Sequence, residues 1–276
     1  TGITSADILV VGAGGGGGYV GGAAGTVVKN SECYGAVGGS RGSNYVTASI
    51  ADNANGIFLV GGQGGDITIN SGILQISRDS CGANGTVNYG NITNNAAVQF
   101  VLIDDGNNVD VLDGSTPGVD TCVFTGVISG TGTVTKSGSA TLRLSGANTF
   151  TGDTTVSAGK LQLFGSGRLA DTTDVIVSDG ATFELNGVSD TVATIASSGT
   201  GALALTGGSL TSGDSTSTTF AGVISGTGGM VKVGSGVLTL SGTNTYSGKT
   251  TISAGTISIS TDAGLGGEPS GSAVAD

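Results

Sequence analysis

Three groups of residues in this 276-residue chain are of types that do chemistry. The first is the acidic run Asp104-Asp105-Gly106-Asn107-Asn108-Val109-Asp110. Carboxylates spaced roughly 5–9.5 Å apart hydrolyse glycosidic bonds, and hard oxygen ligands at alternating positions bind calcium. Asp104, Asp105 and Asp110 are therefore weak calcium candidates and the acids that a polysaccharide-processing enzyme would use. A solvated turn would carry the same residues. The second group is glycine-based. Gly12-Ala13-Gly14-Gly15-Gly16-Gly17 satisfies GxGxxG after the strand-like Ile8–Val11, but a dinucleotide site needs a helix N-terminus behind it. The following Tyr-Val-Gly-Gly-Ala-Ala-Gly is a poor helix. Gly61-Gly62-Gln63-Gly64-Gly65-Asp66 fits a calcium-binding GGxGxD turn, but such turns work in tandem and only one is present. The third group is Cys33, Cys81 and Cys122. Three thiols form one disulfide and leave one over, pair between chains, or sit buried as small apolar groups.

What is missing narrows the chemistry further. The chain has no histidine, which removes imidazole catalysis and histidine metal ligation. With nine Lys+Arg and a net charge of −11 it lacks a basic nucleic-acid footprint. These features predict no catalytic residue, no cofactor and no nucleic-acid partner. They predict no membrane span either. Residues 8–28 are uncharged, but nine of the 21 are glycine.

The elements that must carry these residues are strands. Glycine occupies 55 of the 276 positions, too many for several helices. A long internal repeat stands out. Phe124–Leu163 aligns with Phe220–Ile259 at an offset of 96 residues, without gaps, and 23 of 40 positions are identical. Within each copy apolar residues alternate, as in Leu142-Arg143-Leu144 and Leu161-Gln162-Leu163, and Gly, Ser and Asn bound each run. The strands expected are Val127-Ile128, Thr133–Thr135, Leu142–Leu144, Thr154–Val156 and Leu161–Leu163. Between the copies they are Val175–Val177, Thr182–Leu185, Val192–Ile195 and Leu203–Leu205, and upstream Ile67–Ile69 and Ile73–Ile76. Short strands joined by glycine corners, with no helices between, predict an all-β parallel solenoid. At roughly 20–25 residues per coil, residues 64–260 make about nine coils, and the shaft is about 40 Å long. Residues 1–61, with 13 glycines between 8 and 42, read as a glycine-rich cap or docking region, and residues 62–276 as the shaft.

The recurring residues inside the copies read as structure. Asn148 and Asn244, in SGANTF and SGTNTY, suit coil corners where side-chain amides satisfy turn backbone groups. Phe150 and Tyr246 read as core or turn-packing aromatics. Lys136 and Lys232 recur at equivalent positions, which argues for a turn element.

The string FTGVISGTG, then LRLSGANTFTG, then TTVSAG, with its second copy, resembles the autotransporter-associated β-strand repeat of bacterial passenger proteins. That resemblance implies a right-handed parallel β-helix (β-solenoid), export and a bacterial surface or extracellular setting, and it fixes no single activity. The opening residues 8–42 more loosely resemble glycine-rich phage and surface segments. The expected function is an extracellular structural one, a stalk or fibre subunit for adhesion or matrix. Its expected partners are copies of itself in a homo-oligomer or filament, and a surface glycan or other cell-surface ligand. After Gly255 the sequence tracks the stretch after Gly159, so a partly built coil with unpaired edges is expected there. Such an edge would favour head-to-tail assembly. A monomeric adhesin passenger fragment and a polysaccharide-processing β-helix enzyme are the alternatives.

Overall fold

The computed structural model describes residues 66–77, 86–87, 90–103 and 121–266, with the strands Leu9–Gly12, Val28–Asn30, Cys33–Gly35, Val46–Ala48 and Gly56–Val60. Alternation sets the local structure. In Ala97–Val101 and Ala202–Thr206 every second residue is buried, as a period of two requires. The chain winds past three sides, most coils contribute a strand to two or three of them, and strands one coil apart pair in parallel.

The first side is a thirteen-stranded sheet. From Ile73–Ser77 it runs through Ala97–Val101, Thr133–Ser137, Thr154–Val156, Asp174–Val177, Thr194–Ser197, Thr218–Phe220, Val237–Leu240 and Thr256–Ile259. Gly56–Val60 and Leu9–Gly12 extend the same sheet in parallel. The second side is a seven-stranded sheet from Thr86–Val87 to Ile224–Gly226. The third side is two four-stranded sheets, one ending at Ile128–Ser129 and the other starting at Asp190–Val192. Between them two coils cross the third side in irregular backbone, linked by a bridge between Ala147 and Arg168.

Inward residues stack in columns. Leu142, Leu161, Phe183, Leu203 and Ile224 follow one another on the second side. Val134, Thr154, Val175 and Ile195 do so on the first. One continuous apolar core results, from Ile67 to Tyr246. Paired strands are 24 residues apart at Ile73 and Ala97, 36 apart at Ala97 and Thr133, and about 20 apart beyond Thr133. Coils hydrogen-bond along the axis, so each coil is the template for the next.

Close approach of coils explains many of the glycines. A Cβ on Gly222 would lie 1.5 Å from the Gly201 carbonyl oxygen of the preceding coil, and one on Gly208 1.6 Å from that of Val188. No other residue fits at these corners.

The expected strands are present with ends shifted by one or two residues, with one correction. Val192–Ile195 is not a single strand. Asp190–Val192 lies on the third side and Thr194–Ser197 on the first, with the chain turning at Ala193. Ala193 N–H is bonded to the Thr173 carbonyl at that corner.

The two repeat copies do not occupy the same sides. Thr141–Leu144 lies on the second side, whereas its counterpart Val237–Leu240 lies on the first. Likewise Thr154–Val156 is on the first side and Thr250–Ile252 on the third. An offset of 96 residues is not a whole number of coils of about 20, so the second copy is turned by one side about the axis.

Candidate functional site

The groups with chemistry lie mostly at corners, bonded to backbone. Lys136 is fully buried. Its Nζ donates to the carbonyls of Ser137 at 2.8 Å, Gly138 at 2.8 Å and Ala158 at 3.2 Å. Gly138 has φ +77°, and the lysine closes the turn that this glycine makes. Burial pulls the Lys136 ammonium down to about 8. Lys232 repeats the arrangement, donating to the carbonyls of Val233 and of Gly234, the latter at 3.0 Å.

Asn148 and Asn244 are buried at 3% and 4% exposure. Asn148 Oδ1 accepts the Ile128 N–H at 2.9 Å, and its Nδ2 donates to the carbonyls of Gly146 at 3.0 Å and Arg168 at 2.8 Å. Asn244 Oδ1 accepts the Ile224 N–H at 2.8 Å and its Nδ2 donates to the Gly264 carbonyl at 2.6 Å. Each amide links the coil before it to the coil after it. Phe150 and Tyr246 are both fully buried beneath these corners. Desolvation raises the Tyr246 phenol, against its hydrogen bond to Thr250.

One cluster lies on the outward face of the second side, and the sequence reading did not single it out. Lys160, Gln162 and Phe164 point outward on one strand because Leu161 and Leu163 point in. Glu184 is directly opposite Gln162 on the next strand. Its carboxylate accepts from Gln162 Nε2 at 2.9 Å and Thr206 Oγ1 at 3.0 Å, and pairs with Lys160 Nζ at 2.8 Å. Burial pushes the Glu184 carboxyl up, but Lys160, Gln162 and Thr206 together outweigh it and hold the group below its ordinary value. Beside the cluster the Arg143 guanidinium stacks over the Phe164 ring, 4.3 Å from its centroid. The signal in the sequence was a charged residue flanked by inward apolar ones, Phe183-Glu184-Leu185, about one coil from Lys160-Leu161-Gln162.

Asp104, Asp105 and Asp110 lie outside the described residues, as do both glycine motifs except the backbone of Gly12 and Asp66. Asp66 Oδ1 accepts the Asn91 N–H at 2.7 Å. Cys122 is disulfide-bonded, while Cys81 and the Cys33 side chain fall outside the description. Among the described residues no three His, Cys, Asp or Glu converge as metal ligands. No described helix is long and apolar enough to cross a membrane. At the described corners the arrangement does one kind of chemistry, in which buried amides, an amine and a carboxylate satisfy the backbone where coils turn. The Glu184 cluster instead bonds side chain to side chain across strands.

Residues 134–163 and 230–259 match the passenger-associated-transport-repeat family. Within the all-β parallel solenoid these two segments are similar to the repeats of autotransporter passenger proteins. The chain is 33% identical over 180 residues to the adhesin BmaC autotransporter of Brucella suis biovar 1 (strain 1330). The alignment covers 63% of this chain and 5% of that relative, so the chain spans about one-twentieth of the relative's length. No solved structure matches. Both matched segments contain the corner lysine, the corner asparagine and the aromatic beneath it.

Proposed function

We propose that this chain is a section of the extracellular stalk of a bacterial surface adhesin and does its work without catalysis. The observation that carries this reading is the spending of polar side chains. Lys136, Lys232, Asn148 and Asn244 are bonded to the backbone of their own or neighbouring coils. A rigid parallel shaft follows, and a stalk requires rigidity more than a cleft. The adhesin name of the relative supports an adhesive role, and the passenger repeats support surface exposure. The ligand proposed is a cell-surface glycan or protein met on the outward sides.

The test is adhesion of beads coated with the purified chain to cultured epithelial cells, with albumin-coated beads as reference. Binding above the reference is expected, and it should persist in a variant with Asp104, Asp105 and Asp110 replaced by alanine. Turnover of a polysaccharide that the triple variant loses would overturn the stalk reading in favour of an enzyme.

A second reading is head-to-tail assembly into filaments, since the parallel ladder already pairs each strand with one a coil away along the axis. Electron microscopy of the purified chain tests it. Filaments that lengthen with concentration support assembly, and rods of one fixed length refute it.

A further inference from the structure

Three coils close a corner in the same way, and one of them uses the wrong acid–base partner for the purpose. Asn148, Asn244 and Asp190 each point inward, and each side-chain oxygen accepts a backbone N–H from the preceding coil. For Asp190 the donor is Leu169, at 3.0 Å from Oδ2. The backbone N–H groups match too: Asn148 donates to the Arg168 carbonyl at 3.0 Å and Asp190 to that of Ser209 at 3.1 Å. The asparagines then complete the corner with Nδ2, which donates to Arg168 and Gly264 in the following coil. An ionised Asp190 has no proton to offer there. Nor is it compensated by water, being only 5% exposed.

We propose that the Asp190 corner is a proton-operated latch between coils, which closes when its carboxyl is protonated and donates to the Ser209 or Val188 carbonyl as Asn148 does to those of Arg168 and Gly146. On deprotonation that donor is lost and a negative charge is left on a side chain only 5% exposed. The latch would loosen where the third side changes from irregular backbone to sheet, at the start of Asp190–Val192.

The charged groups around this corner are few. Arg168 and Asp171 face it from the preceding coil and act in opposite directions. The following stretch, Gly207–Gly213, carries no titratable residue. Burial dominates, raising the Asp190 carboxyl to about 6 against the hydrogen bonds from Leu169 and Thr191. The sign follows from linkage. Between the ordinary value of 3.8 and about 6 the folded chain binds the proton more tightly than the unfolded chain does. Folding is therefore favoured in mild acid and weakens as pH rises through that window.

Two measurements test the latch on the whole chain. In a carboxyl-resolved NMR titration, Asp190 should titrate near pH 6, and titration at or below pH 4 overturns the proposal. In hydrogen exchange corrected for intrinsic rates, segments 165–172 and 188–195 should be less protected at pH 7.5 than at pH 5, by up to roughly tenfold. Asp190→Asn supplies the missing donor permanently, so it should remove that difference and give the protected state at both pH values. If Asp190→Asn exchanges faster than the parent at pH 7.5, or keeps the parent's pH dependence, the latch is refuted. Asp179→Asn serves as reference. Asp179 is held below its ordinary value by the Thr200 hydroxyl, so its loss should leave the pH 5 to 7.5 difference in place.

Discussion

The Tyr246 hydroxyl lies 2.6 Å from Thr250 Oγ1, one hydrogen bond within the second repeat copy. In the first copy the equivalent residues are Phe150 and Thr154, both fully buried, and Thr154 Oγ1 has no hydrogen-bond partner. A single missing oxygen on the ring thus leaves a hydroxyl stranded in the core. Burial of an unpaired hydroxyl costs roughly 1–3 kcal/mol. Thr154→Val, which keeps the shape and deletes the hydroxyl, is expected to stabilise the chain by about 1 kcal/mol in urea unfolding. Phe150→Tyr should stabilise it by a similar amount by restoring the partner, and the two gains should not add, because each removes the same defect.

Asn148 holds three backbone groups, so Asn148→Ala should destabilise the solenoid by about 2 kcal/mol. Asn244→Ala should cost less, since its amide makes two of these bonds. Asn148→Asp carries a distinct signature. It keeps the bond to Ile128 and loses the donors, so its penalty should be larger at pH 7.5 than at pH 5. Unfolding midpoints at the two pH values would show this.

Gly222 and Gly165 separate two reasons for glycine. A methyl on Gly222 meets the backbone of the preceding coil, which cannot move without breaking the ladder, whereas Gly165 has open space around it and a φ of +62°. Gly165→Ala should therefore cost about 1 kcal/mol of backbone strain. Gly222→Ala should cost several times that, or prevent folding of that section altogether, read by circular dichroism and protease resistance.

Glu184 has the opposite pH signature to Asp190. Its carboxyl is held below 4.5, so the stability it contributes is complete above that value and is lost as pH falls through and below it. Glu184→Gln should cost about 1 kcal/mol at pH 7, and the cost should shrink as pH falls below 4.5. Lys160 heads the groups that lower this carboxyl, and its own 41% exposure leaves part of the pair's strength to solvent screening. Unfolding followed across pH 3–7 for parent and variant checks the convergence.

Strands and their inward residues were legible because alternation is local: Leu161-Gln162-Leu163 declares which side chains point in without reference to the rest of the chain. The side of the solenoid on which a strand lies is not local. It depends on the summed length of every intervening corner, which is why two segments with 23 of 40 identical residues face different ways. The corner at Ala193 was missed for a related reason. Val192 and Ile195 are both inward and apolar, and a turn between them needs neither glycine nor proline. Asn148 and Asn244 were visible through recurrence, whereas Asp190, which does the same work once, left no repeated letter to notice.

The parallel register has a mechanical consequence. Among the described residues each coil is hydrogen-bonded to the coils on either side of it, so a pull along the axis loads these layers in series, and the weakest layer opens first. A coil of about 20 residues occupies about 4.8 Å of the axis when wound, yet its extended chain reaches roughly 65–70 Å. Each coil that opens therefore lengthens the chain more than tenfold locally and lets the load fall before the next one yields. Under tension the shaft would pay out line coil by coil, a brake with many teeth, and would not snap at a single joint.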